Sequence, residues 1–444
     1  MWTALLIQFA TVWLLRVGLG KGWLRRPVTL LILASVVCDG VSQVLLAFPS
    51  VGVWDDYRTG VAQGYNDDAA LLMSAAMLAF TVAYLLIGPQ RAGNAGACVP
   101  LRMLDWRLLA LACAPLAVLT YEGRGRNTLL QTGNGAPLAT SIASEFFVIL
   151  VVLAAFSFIL RYGSRWFLPV LLVQSVLLAA AGERTPVLTD AIALIVLLCW
   201  AGMRPQGREL GAAAGLTMVA ILAITGLRAA QGRSVFYVNS GLGTRVAALG
   251  GGLTALDGAP ASGVPPTAPL VAQAALRLDG DAFAGAILQA RHRGYPRLSA
   301  AYVPASLLVA VPSAVWPSKL DHVAVPAVAE TDDFGLQQVN FLPGLVGLYA
   351  GFLSPQWLIA ALAALGALCG WGERCLLRRR TPARFVLTAG AVIAALAYQQ
   401  GLPGMLVDLR TATVIAAAAW ALQSVRAAQK NVMNARSSSR PRLG

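Results

Sequence analysis

The sequence predicts an all-α polytopic membrane protein with about eleven transmembrane helices (10–12) and one large external loop that carries short or re-entrant helices. The composition supports this fold class, because 57% of the residues are hydrophobic and only 12% are charged. Charged residues make up about a quarter of an average soluble domain. The chain also alternates between apolar runs long enough to cross a bilayer and short polar loops, and a helix satisfies its own backbone hydrogen bonds in lipid.

The apolar runs define the predicted spans in order. They cover 2–20, 28–48, 69–88, 108–120, 138–160, 166–181, 187–203, 211–227, the stretch that ends at Trp371, 385–400 and 404–422. No small-residue cleavage site follows the first run, so we expect it to be a retained helix and not a signal peptide.

The chain therefore divides into four predicted regions. Residues 1–227 form an N-terminal bundle of about eight spans, and 228–341 form the external loop. Residues 342–425 supply about three further spans, and the basic, Ser-rich stretch 426–444 is expected to be a disordered cytoplasmic tail.

The basic residues set the predicted orientation. The formal net charge is +14, but these residues do not form the single stripe or aromatic-interleaved patch that a nucleic-acid site requires. They lie mostly in short loops, where the positive-inside rule places cytoplasmic charge. We therefore expect no nucleic-acid partner, an external N-terminus and a cytoplasmic C-terminus.

One apolar run, Leu298–Trp316, is predicted not to cross. A crossing there would move the basic cluster Arg374–Arg384 to the outside, against the rule that orders the other loops. Pro304 and Pro312 also disfavour a regular helix. We expect an amphipathic or re-entrant element near His322.

Three arginines lie at the predicted outer face. Arg184 stands in a short turn between two spans, Arg228 ends the next span, and Arg233 follows it. A guanidinium binds phosphate oxygens through a planar fork and keeps its charge, so these residues are suited to a lipid-linked diphosphate. The alternative is that they extend to lipid headgroups and anchor the helices.

Carboxylates at depth are a second kind of candidate. Glu145 and Asp190 lie one to two turns inside the outer ends of their spans, and Asp39 lies nearer the middle of its own. Such groups usually face a bundle interior or a wet cavity. They either orient the arginines, activate an acceptor hydroxyl, or make interhelical hydrogen bonds. Asp408 and Arg410 begin the final span, where a simple ion pair is the alternative.

The two histidines, His292 and His322, both fall in the large loop. Each is a candidate general base near neutral pH, and each is alternatively a solvated loop residue.

The cysteines predict neither a metal site nor a disulfide framework, because their spacing fits neither. They are Cys38, Cys98, Cys113, Cys199, Cys369 and Cys375.

Three segments together carry a resemblance to a known family. They are Gly182-Glu183-Arg184-Thr185-Pro186, Gly226-Leu227-Arg228 and Val311-Pro312-Ser313-Ala314-Val315-Trp316-Pro317-Ser318-Lys319. With the Gly- and aromatic-rich helix predicted at 344–352, the chain resembles, over about 180–372, the bacterial O-antigen or oligosaccharide repeat-unit polymerases of the Wzy type. O-antigen ligases share the general architecture.

The resemblance implies metal- and cofactor-independent glycosyl transfer at the outer face of the bacterial cytoplasmic membrane. The growing glycan on a polyprenyl diphosphate is the donor, and a hydroxyl of the next lipid-linked repeat unit is the acceptor. The expected partners are these polyprenyl-diphosphate-linked oligosaccharides, membrane lipids, and flippase and chain-length regulator proteins.

The candidate site residues combine both lines of reasoning. The catalytic candidates are Arg184, Arg228, His322 and Glu145. The candidates for substrate binding are Arg233, Arg291, His292, Tyr295, Trp316, Lys319, Tyr349 and Arg410. The aromatic members are expected to stack on sugars, or alternatively to belong to the aromatic belt at the membrane surface.

Two alternatives stay open. A ligase would differ only in its acceptor. A lipid-linked oligosaccharide flippase or another transporter would be expected to show an internal repeat, and none is visible in this sequence.

Overall fold

The computed structural model describes the following parts of the chain. They are residues 2–20, 23–41, 63–88, 105–122, 138–180, 184–231, 246–250, 281–295, 344–347, 349–377, 381–396 and 401–438, with the single residues 44, 244, 308, 311, 316 and 398. Within these ranges the protein is helical, with thirteen α-helices and no strand.

Eight helices precede the large loop. They are α1 (Trp2–Leu19), α2 (Pro27–Val36), α3 (Gln63–Ile87), α4 (Trp106–Glu122), α5 (Leu138–Tyr162), α6 (Phe167–Ala180), α7 (Arg184–Trp200) and α8 (Gly207–Gln231). A π-helical turn, Val37–Val41, continues α2. Short 3₁₀ turns, Trp23–Arg25 and Ser164–Trp166, precede α2 and α6.

Five helices follow. They are α9 (Asp281–His292), α10 (Gly344–Gly347), α11 (Pro355–Leu377), α12 (Pro382–Leu396) and α13 (Gly401–Ser438). Helices α1 to α8 and α11 to α13 follow the order of the predicted spans.

The helices have the character of a membrane bundle. Of those described, five are long and apolar enough to cross a bilayer, namely α1, α3, α8, α11 and α13, and six more are shorter apolar helices. Large apolar side chains such as Phe9, Trp357 and Trp420 are exposed on their outer surfaces. These surfaces suit contact with lipid, where backbone polar groups must be satisfied within the helix.

Helices α3 and α11 pack in parallel at very short range. A Cβ atom at Gly366 would collide with the backbone of Phe80, and one at Gly370 would lie 2.9 Å from the backbone nitrogen of Gly88. The residue numbers rise together along both helices, so the two run in the same direction. Glycine allows the two backbones to approach closely. In lipid there is no hydrophobic driving force between helices, so close van der Waals contact of this kind stabilises their association.

A buried cluster joins α3 and α11 to the start of α2. The Glu373 carboxylate lies 3.5 Å from Nη1 of Arg26, with these side chains 2% and 5% exposed. It also accepts hydrogen bonds from the Tyr84 hydroxyl at 3.0 Å and from the Val28 backbone N–H at 3.3 Å. We call Arg26, Val28, Tyr84 and Glu373 the Glu373 cluster. Three helices are therefore held together at the end predicted to face the cytoplasm.

Two boundaries differ from the sequence-based prediction. The tail was predicted to be disordered from residue 426, but α13 continues to Ser438. Strong helix formers such as Ala, Arg, Lys and Gln occupy most of this stretch, and the preceding span supplies the nucleated turn that an isolated peptide would lack. Helix α3 also begins earlier than the predicted span, at Gln63.

The predicted re-entrant element falls almost entirely outside the described residues. Of Leu298–Trp316, the structure describes only Leu308, Val311 and Trp316. That element therefore stays a prediction.

Candidate functional site

The ends of four helices meet in a small buried core that we call the outer cluster. Its members are Phe147 and Val151 of α5, Leu178, Ala179 and Ala180 of α6, Val187 of α7, Ala223 and Ile224 of α8, and Leu249. Leu249 belongs to the short segment 246–250, so the beginning of the large loop packs against the helix ends.

Arg184 and Arg228 both adjoin the outer cluster. Arg184 is the first residue of α7, three residues before Val187. Arg228 lies in α8, four residues after Ile224. Because Val187 and Ile224 share one buried core, the backbones of the two arginines lie at the same end of the bundle. The roles predicted for the two arginine side chains stay predictions.

Glu145 approaches the same place from α5, two residues before Phe147 of the outer cluster. The side chains of Arg184, Arg228 and Glu145 lie outside the described part of the structure. So do all atoms of Arg233, Lys319 and His322. The contacts of these candidates with substrate stay predictions.

Helix α9 was not predicted, and it covers the beginning of α3. Phe283, Ile287 and Ala290 recur at helical spacing and are buried. The helix has Arg291 and His292 in its last turn, which suits the negative end of the helix dipole. Gly294 then takes a φ of +98°, a left-handed conformation that ends helices and that side chains disfavour.

His292 and Tyr295 are the exposed candidates of this region. The His292 ring lies 5.6 Å from the ring of Tyr65, centroid to centroid, at an interplanar angle of 53°. Tyr295 is 47% exposed and follows the helix end directly. These two side chains border an exposed surface beside the start of α3.

Arg291 and Tyr349 have structural contacts. Nη1 of Arg291 donates hydrogen bonds to the backbone oxygens of Ala350 and Leu353, at 3.3 and 3.4 Å. Arg291 therefore fastens α9 to the turn before α11. The Tyr349 ring is only 5% exposed and packs in the core, so in this structure it is not available to stack on a sugar. Trp316 and Arg410 are half-buried.

Two predicted carboxylates differ in their surroundings. Asp39 lies in the π-helical turn and accepts a 2.9 Å hydrogen bond from the Tyr398 hydroxyl, so the interhelical hydrogen bond is the alternative that the structure favours for it. Asp190 is fully buried on α7. Asp408 and Arg410, on α13, both take part in interactions within the protein.

The Glu373 cluster was missed by sequence reasoning. Its signal was present, because Glu373 is a carboxylate at the end of an apolar run and such residues usually have a partner. The partner, Arg26, is distant in sequence and lies in one of the short basic loops that the positive-inside rule assigns to the cytoplasm. Nothing in the spacing of either residue indicates their pairing.

Within the described ranges, no three His, Cys, Asp or Glu side chains are grouped closely enough to hold a metal ion.

Comparison of the chain with protein-family models, with curated proteins and with solved structures finds no match.

Proposed function

We propose that the chain is a membrane glycosyltransferase that polymerises polyprenyl-diphosphate-linked oligosaccharide repeat units on the outer face of the cytoplasmic membrane. The observation that carries this proposal is the meeting of the α7 and α8 ends at the outer cluster. It brings the backbones of Arg184 and Arg228 to one end of the bundle, with that of Glu145 beside them. In the proposed site, the two guanidinium side chains that start there bind one diphosphate.

The proposed reaction needs charge stabilisation more than it needs a reactive protein group. The bond between the anomeric carbon and the phosphate oxygen breaks, and the acceptor oxygen forms the new bond to that carbon. The diphosphate leaves with the bonding electron pair, and guanidiniums held in advance stabilise the charge that develops on it. The acceptor hydroxyl gives its proton to a base, for which His322 and Glu145 are the candidates.

The parallel packing of α3 and α11 supports the proposed topology. Five apolar helices, α4 to α8, lie between them in the sequence, followed by the short helices α9 and α10. If each of the five crosses the membrane once and Leu298–Trp316 does not cross, α11 runs in the same direction as α3. One additional crossing would make the two antiparallel. The packing therefore favours about eleven spans with 228–341 on one side.

The exposed end of α9 extends the proposed site. Helix α9 packs on the beginning of α3, which the proposed topology places at the outer face. His292 and Tyr295 are then part of the external surface, where they would contact the sugars of a repeat unit. Arg291 holds that surface in place through the turn before α11.

The lipid-linked glycans of a strain that lacks the protein test this function directly. A lost polymerase leaves single repeat units on the carrier at the outer face. Long chains that stay on the carrier would indicate a ligase, and repeat units retained on the cytoplasmic side would indicate a flippase. Either of the last two results would overturn the proposal.

A further inference from the structure

Four aromatic rings pack together where α4 begins and α5 ends. Phe158 lies at the centre, and its ring contacts the rings of Trp106, Tyr162 and Trp166 at centroid distances of 5.0, 4.6 and 5.7 Å. The rings of Trp106 and Tyr162 also lie 5.9 Å apart. Edge-to-face contacts are a favourable arrangement of aromatic rings, and two of these contacts are nearly perpendicular, at 87° and 89°. We call Trp106, Phe158, Tyr162 and Trp166 the aromatic cluster.

A tight turn after α5 brings Trp166 onto the ring of Phe158. Gly163 follows the last residue of α5 and has a φ of +98°, a conformation that side chains disfavour. The 3₁₀ turn Ser164–Trp166 comes next, and the Trp166 backbone N–H donates a hydrogen bond to the Gly163 oxygen at 3.2 Å. Because this turn is short and hydrogen-bonded, it holds Trp166 beside the end of α5.

The aromatic cluster lies at the opposite end of the bundle from the outer cluster. Along α5, Tyr162 lies eleven residues after Val151 of the outer cluster, and along α6, Phe167 lies eleven residues before Leu178. At 1.5 Å per residue, each spacing is about 17 Å. Trp and Tyr are enriched at the headgroup level of a bilayer, so this position suits the four rings. The sequence predicts that this end faces the cytoplasm.

Two arginines lie over rings of the aromatic cluster. The Cζ atom of Arg107 is 5.8 Å from the centroid of the Trp106 ring, and that of Arg161 is 6.0 Å from the centroid of the Tyr162 ring. A cation within about 6 Å of a ring centroid is attracted to the ring, which restrains an exposed guanidinium. A third arginine, Arg165, belongs to the 3₁₀ turn.

Within the described ranges, no carboxylate forms an ion pair with any of these three arginines, and all three side chains are exposed. The acidic residue nearest to Arg107 in sequence is Asp105. Its carboxylate accepts a hydrogen bond from the backbone N–H of Arg107 at 3.0 Å and does not pair with the guanidinium. This end of the bundle therefore offers three guanidiniums to an anion from outside the protein.

An apolar surface continues from the arginines along α4. Leu108 and Leu111 are 48% and 70% exposed, and both lie deeper along α4 than Arg107. The acyl chains of a lipid would cover these side chains, whereas a free phosphate ion would leave them uncovered. The combination of guanidiniums, rings and exposed leucines therefore matches a phospholipid better than a soluble anion.

We propose that Arg107, Arg161 and Arg165, with the aromatic cluster, form a binding site for one anionic phospholipid, such as phosphatidylglycerol. Its phosphate accepts charge-assisted hydrogen bonds from the guanidiniums, whose planar fork matches phosphate oxygens. Basic residues on the cytoplasmic side of a membrane protein attract anionic lipids. The site does not depend on the proposed glycosyl transfer, because it lies at the other end of the bundle and shares no residue with the candidate active site.

Native mass spectrometry of the purified full-length protein in detergent tests this site. The protein is titrated with dioleoyl phosphatidylglycerol, with dioleoyl phosphatidylcholine or with inorganic phosphate, and the Kd of the first bound molecule is measured. We expect saturable binding of phosphatidylglycerol and much weaker binding of the other two. Equal affinity for phosphatidylcholine would show that net charge has no role, and equal affinity for inorganic phosphate would show that no lipid is required. Either result, or the absence of saturable phosphatidylglycerol binding, would overturn the proposal.

Arginine variants locate the bound lipid. Each basic residue near an anionic lipid strengthens binding about fivefold, so Arg161→Gln should raise the Kd for phosphatidylglycerol about fivefold, and Arg107→Gln combined with it about 25-fold. Arg208→Gln is the matched control, because Arg208 is an exposed arginine at the predicted cytoplasmic end of α8 and contacts no ring in the described part of the chain. An equal loss of affinity in this control would indicate diffuse attraction and overturn the site.

Phe158→Leu tests the aromatic cluster while retaining all three arginines. It removes the ring that contacts the other three, so the guanidiniums lose their shared support, and ordering them on binding should raise the Kd about two- to tenfold. The melting temperature without added lipid checks that each variant is folded. An unchanged Kd in folded Phe158→Leu protein would overturn the role of the rings in the proposed site.

Discussion

Glu373 and Asp190 are both buried carboxylates on apolar helices, but they differ in their hydrogen-bond and charge partners. Glu373 has a cation, a hydroxyl and a backbone N–H as partners. Asp190 has no hydrogen bond in the described part of the chain. The first carboxylate is satisfied by the protein alone and holds helices together. No comparable set of partners surrounds the second carboxylate in the described part of the chain. A buried ion pair thus fastens helices at the end predicted to be cytoplasmic, whereas Asp190, nearer the end predicted to be external, is buried without a hydrogen bond to its carboxylate.

The membrane orientation of these two ends gives the largest expected effect, because labelling is all or none. We expect Ser240→Cys to react with an impermeant thiol reagent in intact cells and Thr381→Cys to react only after permeabilisation. The physical reason is the basic cluster that follows α11, which the positive-inside rule retains in the cytoplasm. Both variants are made in a background without the native cysteines. The opposite labelling pattern would show that the end with the basic cluster faces outside, and it would contradict the proposed position of the active site.

Removal of Glu373 sharpens the comparison through stability. Glu373→Ala leaves Arg26 buried without its counter-charge, and breaking a buried pair in this way costs about 3–5 kcal/mol. We expect a lower free energy of unfolding in detergent but normal activity per folded molecule. Asp68→Ala, which removes an exposed carboxylate, is the control and should change little. An equal loss of stability in both variants would contradict the claim that Glu373 stabilises the fold through its pairing with Arg26.

Conservative replacement of Arg184 or Arg228 should lower activity and leave stability unchanged. Arg184→Lys and Arg228→Lys keep the charge but lose the planar fork, so we expect normal insertion and accumulation with chain extension reduced about 100- to 1,000-fold. The length distribution of the polymer measures the effect. Arg208→Lys, at the opposite end of α8, is the matched control. Near-normal polymer length in both outer variants would contradict the diphosphate site, because lysine anchors a helix to headgroups as well as arginine does.

Tyr398→Phe gives the smallest effect. It deletes the hydroxyl that donates to Asp39, and hydrogen bonds to charged groups contribute about 1.5–3 kcal/mol. We expect a modest decrease in unfolding free energy and unchanged polymer length. Tyr162→Phe, on a half-exposed ring, serves as the control. A loss of polymerisation at normal stability would instead assign Asp39 and Tyr398 to the reaction.

The sequence predicted the long helices well, because hydropathy fixes where a chain can remain in lipid. The predicted spans 2–20 and 166–181 became Trp2–Leu19 and Phe167–Ala180. Prediction failed where tertiary contacts extend a helix into polar sequence. The acidic residues Asp67 and Asp68 precede the predicted span 69–88, yet they belong to α3, against which α9 packs.

For the candidate site, the sequence predicted positions but not partners. Arg184 and Arg228 could be placed at one face from the length of the spans alone. The pairing of Arg26 with Glu373 could not be predicted, since alternation of loops does not specify which helices become neighbours. Similarly, Tyr349 looked available for sugar contact as part of an aromatic-rich segment, and only the packing of the turn before α11 shows that it is buried.

The partnership of α3 and α11 also sets the order of events during biosynthesis. Tyr84 and Glu373 are separated by 289 residues, so a ribosome must produce most of the chain before their contact can form. Until then, the face of α3 that receives Gly366 and Gly370 of α11 is uncovered, and the Tyr84 hydroxyl lacks its acceptor in the membrane. The nascent N-terminal half is therefore an incomplete bundle, and we expect the membrane-insertion machinery to protect it until α11 is made. Truncated chains that end before α11 should be substrates for membrane quality-control proteases, and not stable fragments.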